Sequence, residues 1–140
     1  MKLRLKPRRS LRYNFRMALR FSWNKYLSRA SDAAADPGSV KKLHRMRIAG
    51  KRLRDIMELC LPFSARRFKN AFKRVKETVS LMGKIHDLDD AADILKARRG
   101  APGVDKITRF VRLRRKKLYA KFENSRKKLE KPGFTNLIKI

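Results

Sequence analysis

Residues Leu43 to Arg54 read LHRMRIAGKRLR, and the rest of the chain is best understood outward from them. Arg45, Arg47, Lys51, Arg52 and Arg54 crowd the stretch with positive charge. Through it and just beyond it run Met46, Ala49, Gly50, Leu53, Ile56, Met57 and Cys60, at successive offsets of three, one, three, three, one and three. At about 100° per residue those positions form one continuous stripe, the mark of an amphipathic helix. On the same wheel Arg47, Lys51 and Arg54 fall within about 80° of His44, with the stripe roughly opposite. One side is built to be buried, and the other presents His-Arg-Lys-Arg in a row about 15 Å long.

Neighbouring segments repeat the helical period. Phe68, Phe72, Val75, Val79 and Met82 form a second stripe. Ile107, Val111, Leu118, Phe122 and Leu129 form a looser third, interrupted by Arg114 and Ser125. Leu11, Phe15, Ala18, Ser22 and Tyr26 mark a fourth, with Trp23 at its edge. Breaks fall at DPGS (36–39), where Ser39 can cap a helix, at Pro62 with Ser64 as the next cap, at GAPG (100–103) and at Pro132-Gly133. The reading is four main helices over roughly 8–30, 39–60, 65–98 and 104–131, with Gly83 marking a break in the third, then a short C-terminal segment. Short loops between long helices predict an all-α, antiparallel four-helix bundle forming one domain over residues 1–140.

Against 40 Lys and Arg stand 12 Asp and Glu, a formal net charge of +28, yet hydrophobic residues make up 42% of the chain. That apolar content excludes a disordered polyelectrolyte. Self-repulsion on this scale opposes compaction and is relieved by a bound polyanion, which makes nucleic acid, an inorganic polyanion or an anionic membrane surface the partners to weigh. The lone Cys60 lies within an apolar stripe and reads as a buried structural thiol. The basic N-terminus lacks the apolar stretch of a signal peptide, and no apolar run approaches the roughly 20 residues of a membrane span. The expectation is a cytoplasmic protein with no membrane partner.

A charged helix face is commonly just solvated. A face serving only solubility mixes signs at four-residue spacing, whereas this helix has no acid before Asp55. Residues 1–31 likewise hold ten Lys and Arg and no acid, with Arg8, Arg12, Arg16 and Arg20 at four-residue intervals. Two such helices are expected to frame a cationic groove. His86, Asp89, Asp90 and Asp93 fit one helical face, a pattern that suits either a divalent metal or, more economically, ion pairs with the surplus cations. There is no Gly-rich phosphate loop, Ser/His/Asp arrangement or HExxH pair, so neither enzymatic activity, a metal nor a cofactor is expected.

The run from His44 through Arg47, Lys51-Arg52 and Leu53-Arg54 closely resembles the signature helix of CHAD domains, the conserved-histidine α-helical domains. Gly83-Lys84-Ile85-His86-Asp87-Leu88-Asp89 is similar to a second feature of that family, with His86 where many members carry Arg. The resemblance implies a module that binds inorganic polyphosphate, for storage, granule association or targeting. Arg47, Lys51, Arg52 and Arg54 would contact phosphate oxygens, with Arg12, Arg16 and Arg20 in a second tier and Arg112 and Lys116 weaker. Asp87 carries over as a supporting salt bridge orienting the basic helix. His44 has two open roles, a proton-coupled contact to phosphate or a neutral donor holding geometry. Familiar members contain two pseudo-symmetric bundles around a cationic channel, whereas this length suits one, so a homodimer is the expected way to rebuild it. Nucleic acid is the alternative partner, disfavoured because LHRMRIAGKRLR has no interleaved aromatics to stack bases. An accessory of a metal-dependent phosphohydrolase would draw on the His86 cluster.

Overall fold

The computed structural model describes residues 4–137, and among them it contains helices and no strand. Helix α1 spans Leu11–Ala34, α2 Val40–Cys60, α3 Arg66–Ala97 and α4 Val104–Leu129, followed by the short α5, Phe134–Leu137. A 3₁₀ turn, Leu61–Phe63, joins α2 to α3 around Pro62. The four long helices match the sequence expectation within a few residues. Helix α1 starts later than expected because Ser10 caps it, its hydroxyl accepting from the Tyr13 amide at 3.2 Å. Ser39 caps α2 as expected. Ser64 does not cap α3: its hydroxyl instead donates back to the Leu61 carbonyl at 2.9 Å, and α3 begins after Ala65. Helix α3 runs unbroken through Gly83, because a glycine costs a helix interior only about 1 kcal/mol and both flanking turns are pinned by buried Met82 and Ile85. Gly100 and Gly103 turn the chain into α4 with φ of 91° and 78°, a region closed to most side chains.

Each long helix packs chiefly on its sequence neighbour, α1 on α2, α2 on α3 and α3 on α4. The core runs along these seams through Tyr26, Met46, Leu53, Met57, Phe68, Val75, Met82, Ile85 and Phe122, all essentially inaccessible. At one end Trp23 of α1 stacks on Tyr26 and meets Phe134 of α5, ring centroids 5.6 and 5.1 Å apart. Burial, reinforced by the nearby Glu130, pushes the Tyr26 phenol well above its ordinary range. Ile107, expected inside, is 52% exposed together with Phe110 and Leu113, so only Val104 and Val111 anchor the first half of α4.

Cations also enter the interior. Arg126 is buried, donating to Glu123 through Nε and Nη2 at 2.9 Å each and to Glu130 through Nη1 at 2.6 Å. Arg115 of α4 pairs with Asp89 of α3, and the Thr78 and Ser125 hydroxyls hydrogen-bond across the same seam at 2.6 Å. The two interruptions expected in the α4 stripe are therefore one polar seam contact, Ser125, and one exposed residue, Arg114.

Gly50 sits where α1, α2 and α3 come closest. A Cβ there would lie 3.0 Å from Met82 Cε, 3.1 Å from Val79 Cγ2 and 3.6 Å from Tyr26 Cε2. Met82 can yield, but the β-branched Val79 has little rotamer freedom in a helix. Gly50→Val should destabilise the protein by about 2 kcal/mol through overpacking, measured by urea unfolding, with exposed Arg45→Val changing little by comparison. Cys60 has no exposed surface, and burial pushes its thiol up to about 11. At pH 8 the native thiol should therefore react with an aromatic disulfide roughly a hundredfold more slowly than in denaturant.

Candidate anion-binding face

Two contacts set the register of α2 against the antiparallel α3. The rings of His44 and His86 meet with centroids 4.9 Å apart at 53°, and Gly50 faces Met82 and Val79. Continuing that register brings Arg47 level with Gly83, Lys51 with Ser80 and Arg54 with Lys76. His44, Arg47 and Arg54 are half-buried, whereas Lys51 is exposed. All four lie on the flank of α2 that borders α3, neither on opposite sides nor sealed in the core. Half-buried arginines have their stems held by packing while the guanidinium faces outward, which lowers the ordering cost of binding an anion. Nothing lies within 4 Å of the position a Gly83 Cβ would occupy, so the groove beside Arg47 has a clear floor.

His44 has a further constraint. Its Nδ1 is buried with no hydrogen-bond partner in the protein. Its ring neighbour His86 in turn lies 3.6 Å, Nε2 to Oδ2, from Asp90 one turn on.

Other residues read from the sequence are distributed differently. Arg54 is engaged by its neighbour, with Nε and Nη2 donating to Asp55 Oδ1 at 2.9 and 2.7 Å. Arg52 is exposed but falls on the other flank of α2, about 80° from His44 on the wheel, toward α1. The expected groove between the α1 and α2 rows does not form. On the α1 wheel Arg16 and Arg20 lie about 20° and 60° beyond Trp23, the side that meets Phe134, while the α2 row borders α3. Arg12 instead borders an apolar pocket with Leu11, Phe15 and Phe63. Arg112 and Lys116 are exposed on α4.

The acidic cluster also divides. Asp89 turns inward to Arg115, Asp90 stands beside His86, and Asp93 lies 3.9 Å from Lys96 at the surface. Ion pairing is thus its role, but through Asp89 rather than Asp87, which is exposed and pairs with no cation among the described residues. Asp87 sits about 160° from Asp89 around α3, on the flank of Gly83 and Lys76 and away from the α3–α4 seam where Arg115 lies. No group of three His, Cys, Asp or Glu among the described residues is arranged to hold a metal ion. No described helix is long and apolar enough to cross a membrane.

The chemistry this face offers is charge-assisted hydrogen bonding from fixed arginine and lysine donors to a row of oxyanions. A family model for the CHAD domain matches residues 3–96, well over half the chain, and the match takes in α1, α2 and nearly all of α3. No curated protein and no solved structure matched the chain. Its helical architecture, its His44 row and this match make the chain a member of the CHAD domain family.

Proposed function

We propose that this protein binds inorganic polyphosphate without chemically altering it, as a storage, granule-associated or targeting module. The observation that carries the reading is the row His44, Arg47 and Lys51 along the α2–α3 border, in a family associated with polyphosphate binding. Arg47 grips phosphate oxygens through paired donors, and Lys51 acts as a point charge beside it. Arg54 joins when its contact with Asp55 opens, and Arg52 reaches a chain that bends toward α1. Successive members of the row rise about 4.5–6 Å along the helix, less than the ~8 Å screening length at physiological salt, so repulsion between neighbours persists until an anion sits among them. Arg16 and Arg20 attract the polyanion at longer range. A second copy of the bundle, paired across a cationic face, would enclose the chain in a channel.

Phe110 favours a second reading. It is 67% exposed on α4 between the exposed Arg109 and Arg112, the combination that lets single-stranded nucleic acid stack a base and neutralise its backbone.

The triple variant His44→Ala, Arg47→Ala, Lys51→Ala should weaken polyphosphate affinity by two orders of magnitude or so while circular dichroism stays unchanged. Neutralising the exposed Lys25, Lys41 and Lys106, where equal charge is removed, should cost only a few-fold. Equal losses would mean diffuse charge and no site. Displacement of polyphosphate by RNA at equal phosphate concentration, lost on Phe110→Ala, would favour the nucleic-acid reading. Light scattering with polyphosphate bound should give twice the monomer mass; a monomer of full affinity would exclude the enclosed channel.

A further inference from the structure

A cleft of about 560 Å³ opens between α3 and α4, lined by Arg74, Lys121, Asn124, Ser125, Lys128 and Lys131. One carboxylate, Glu77, faces these four cations. The amide of Asn124 adds a neutral donor, while the Ser125 hydroxyl is engaged by Thr78, so the four cations and Asn124 give the lining the donor chemistry of an oxyanion site. Its α4 wall lies outside the stretch matched by the family model.

Thr78 against Ser125 and Asp89 against Arg115 fix α4 antiparallel to α3. His44 against His86 and Gly50 against Met82 and Val79 fix α2 against the other flank of α3. By the first register the cleft lies level with residues 74–81 of α3, and by the second those residues lie level with Lys51 and Arg54 of α2. Between the two flanks, the exposed Lys76 and Lys73 occupy the outer surface of α3. On the α3 wheel the order is Val79, Lys76, Lys73, Glu77 and then Arg74, each step about 40° to 60°, so a single carboxylate interrupts the cations there. Cations therefore form a transverse belt over three helices, about 16–20 Å across for two ordinary interhelical spacings.

We infer that the α3–α4 cleft is a second phosphate subsite, joined to the α2 row across Lys76 and Lys73, so that one polyphosphate chain crosses the bundle instead of following a single helix. This inference rests on the polyphosphate reading above. It assigns the cleft the task of selecting long chains: a short oligophosphate fills the row or the cleft, whereas a long one fills both and gains from the tether. Glu77 opposes the anion and limits the affinity of the cleft.

The test is isothermal calorimetry with tripolyphosphate and with long-chain polyphosphate on the full chain, at fixed salt. The variant Arg74→Gln, Lys121→Gln, Lys128→Gln should cut the preference for the long chain roughly tenfold. Removing equal charge at Lys25, Lys41 and Lys106 should leave that preference within a few-fold. Glu77→Gln should raise long-chain affinity, an outcome that damage to the fold would not produce. An unchanged preference in the cleft variant, with wild-type binding intact and the α2-row triple variant impaired, would overturn the belt and spare the polyphosphate reading. Failure of the wild type to bind either ligand would overturn both.

Discussion

The close approach at Gly50 governs where the charge goes. Helix α2 is the middle element of three, and at Gly50 it meets the Tyr26 ring of α1 and the Val79 and Met82 side chains of α3 together. With no Cβ to accommodate, α2 settles deeply between them. A slip of one residue would rotate its faces by about 100° and carry the His44–Lys51 row away from α3. The contact of His44 with His86 two turns away reports the same register from the charged side. Packing and the placement of the cationic row are therefore one geometric problem: the dry stripe fits only in an orientation that lays the wet row along the α2–α3 border.

The few acids are used in a way that sharpens this division. Glu123 and Glu130 neutralise the buried Arg126, and Asp89 holds Arg115 on the α3–α4 seam. Removing one partner from such a pair leaves an uncompensated charge, at a cost of about 3–5 kcal/mol where burial is complete, so these carboxylates are committed to the fold. The Asp36, Asp32 and Asp93 pairs sit at helix ends, where Lys42, Arg29 and Lys96 meet them near the surface. What remains over the middle of α2, α3 and α4 is mainly cationic. Charge that looks uniformly excessive in composition is, in three dimensions, sorted into a tied interior set and a mainly cationic outer surface.

Much of this was legible from the sequence. The 3.6-residue period at Met46, Gly50, Leu53, Met57 and Cys60 identified both the helix and its buried side, and all five are buried. The Asp36–Ser39 turn, the 100–103 break and the grouping of His44, Arg47 and Lys51 on one flank followed from the same local rules. Failures arose where tertiary contacts decide. Which neighbour flanks the cationic row depends on packing order, so α1 was expected to border it and α3 does. Asp87 and Asp89 are two residues apart, and only the position of Arg115 on a distant helix selects Asp89. Ile107 satisfies the apolar period, yet no helix covers that side of α4. Arg126 and Phe134 join the core through partners far away in the chain, and the α3–α4 cleft has no sequence signature because its walls are some fifty residues apart.

The central claim is that an ordered row on α2, and not net charge, grips the polyanion. It is tested most directly by titrating isotopically labelled protein with polyphosphate while following the imidazole and guanidinium resonances. Early, saturable shifts are expected at His44, His86 and Arg47, with Arg98 and Arg99 beyond the end of α3 responding late and weakly. Shifts spread evenly over all the basic side chains, or a response that leaves His44 unmoved at saturation, would contradict it.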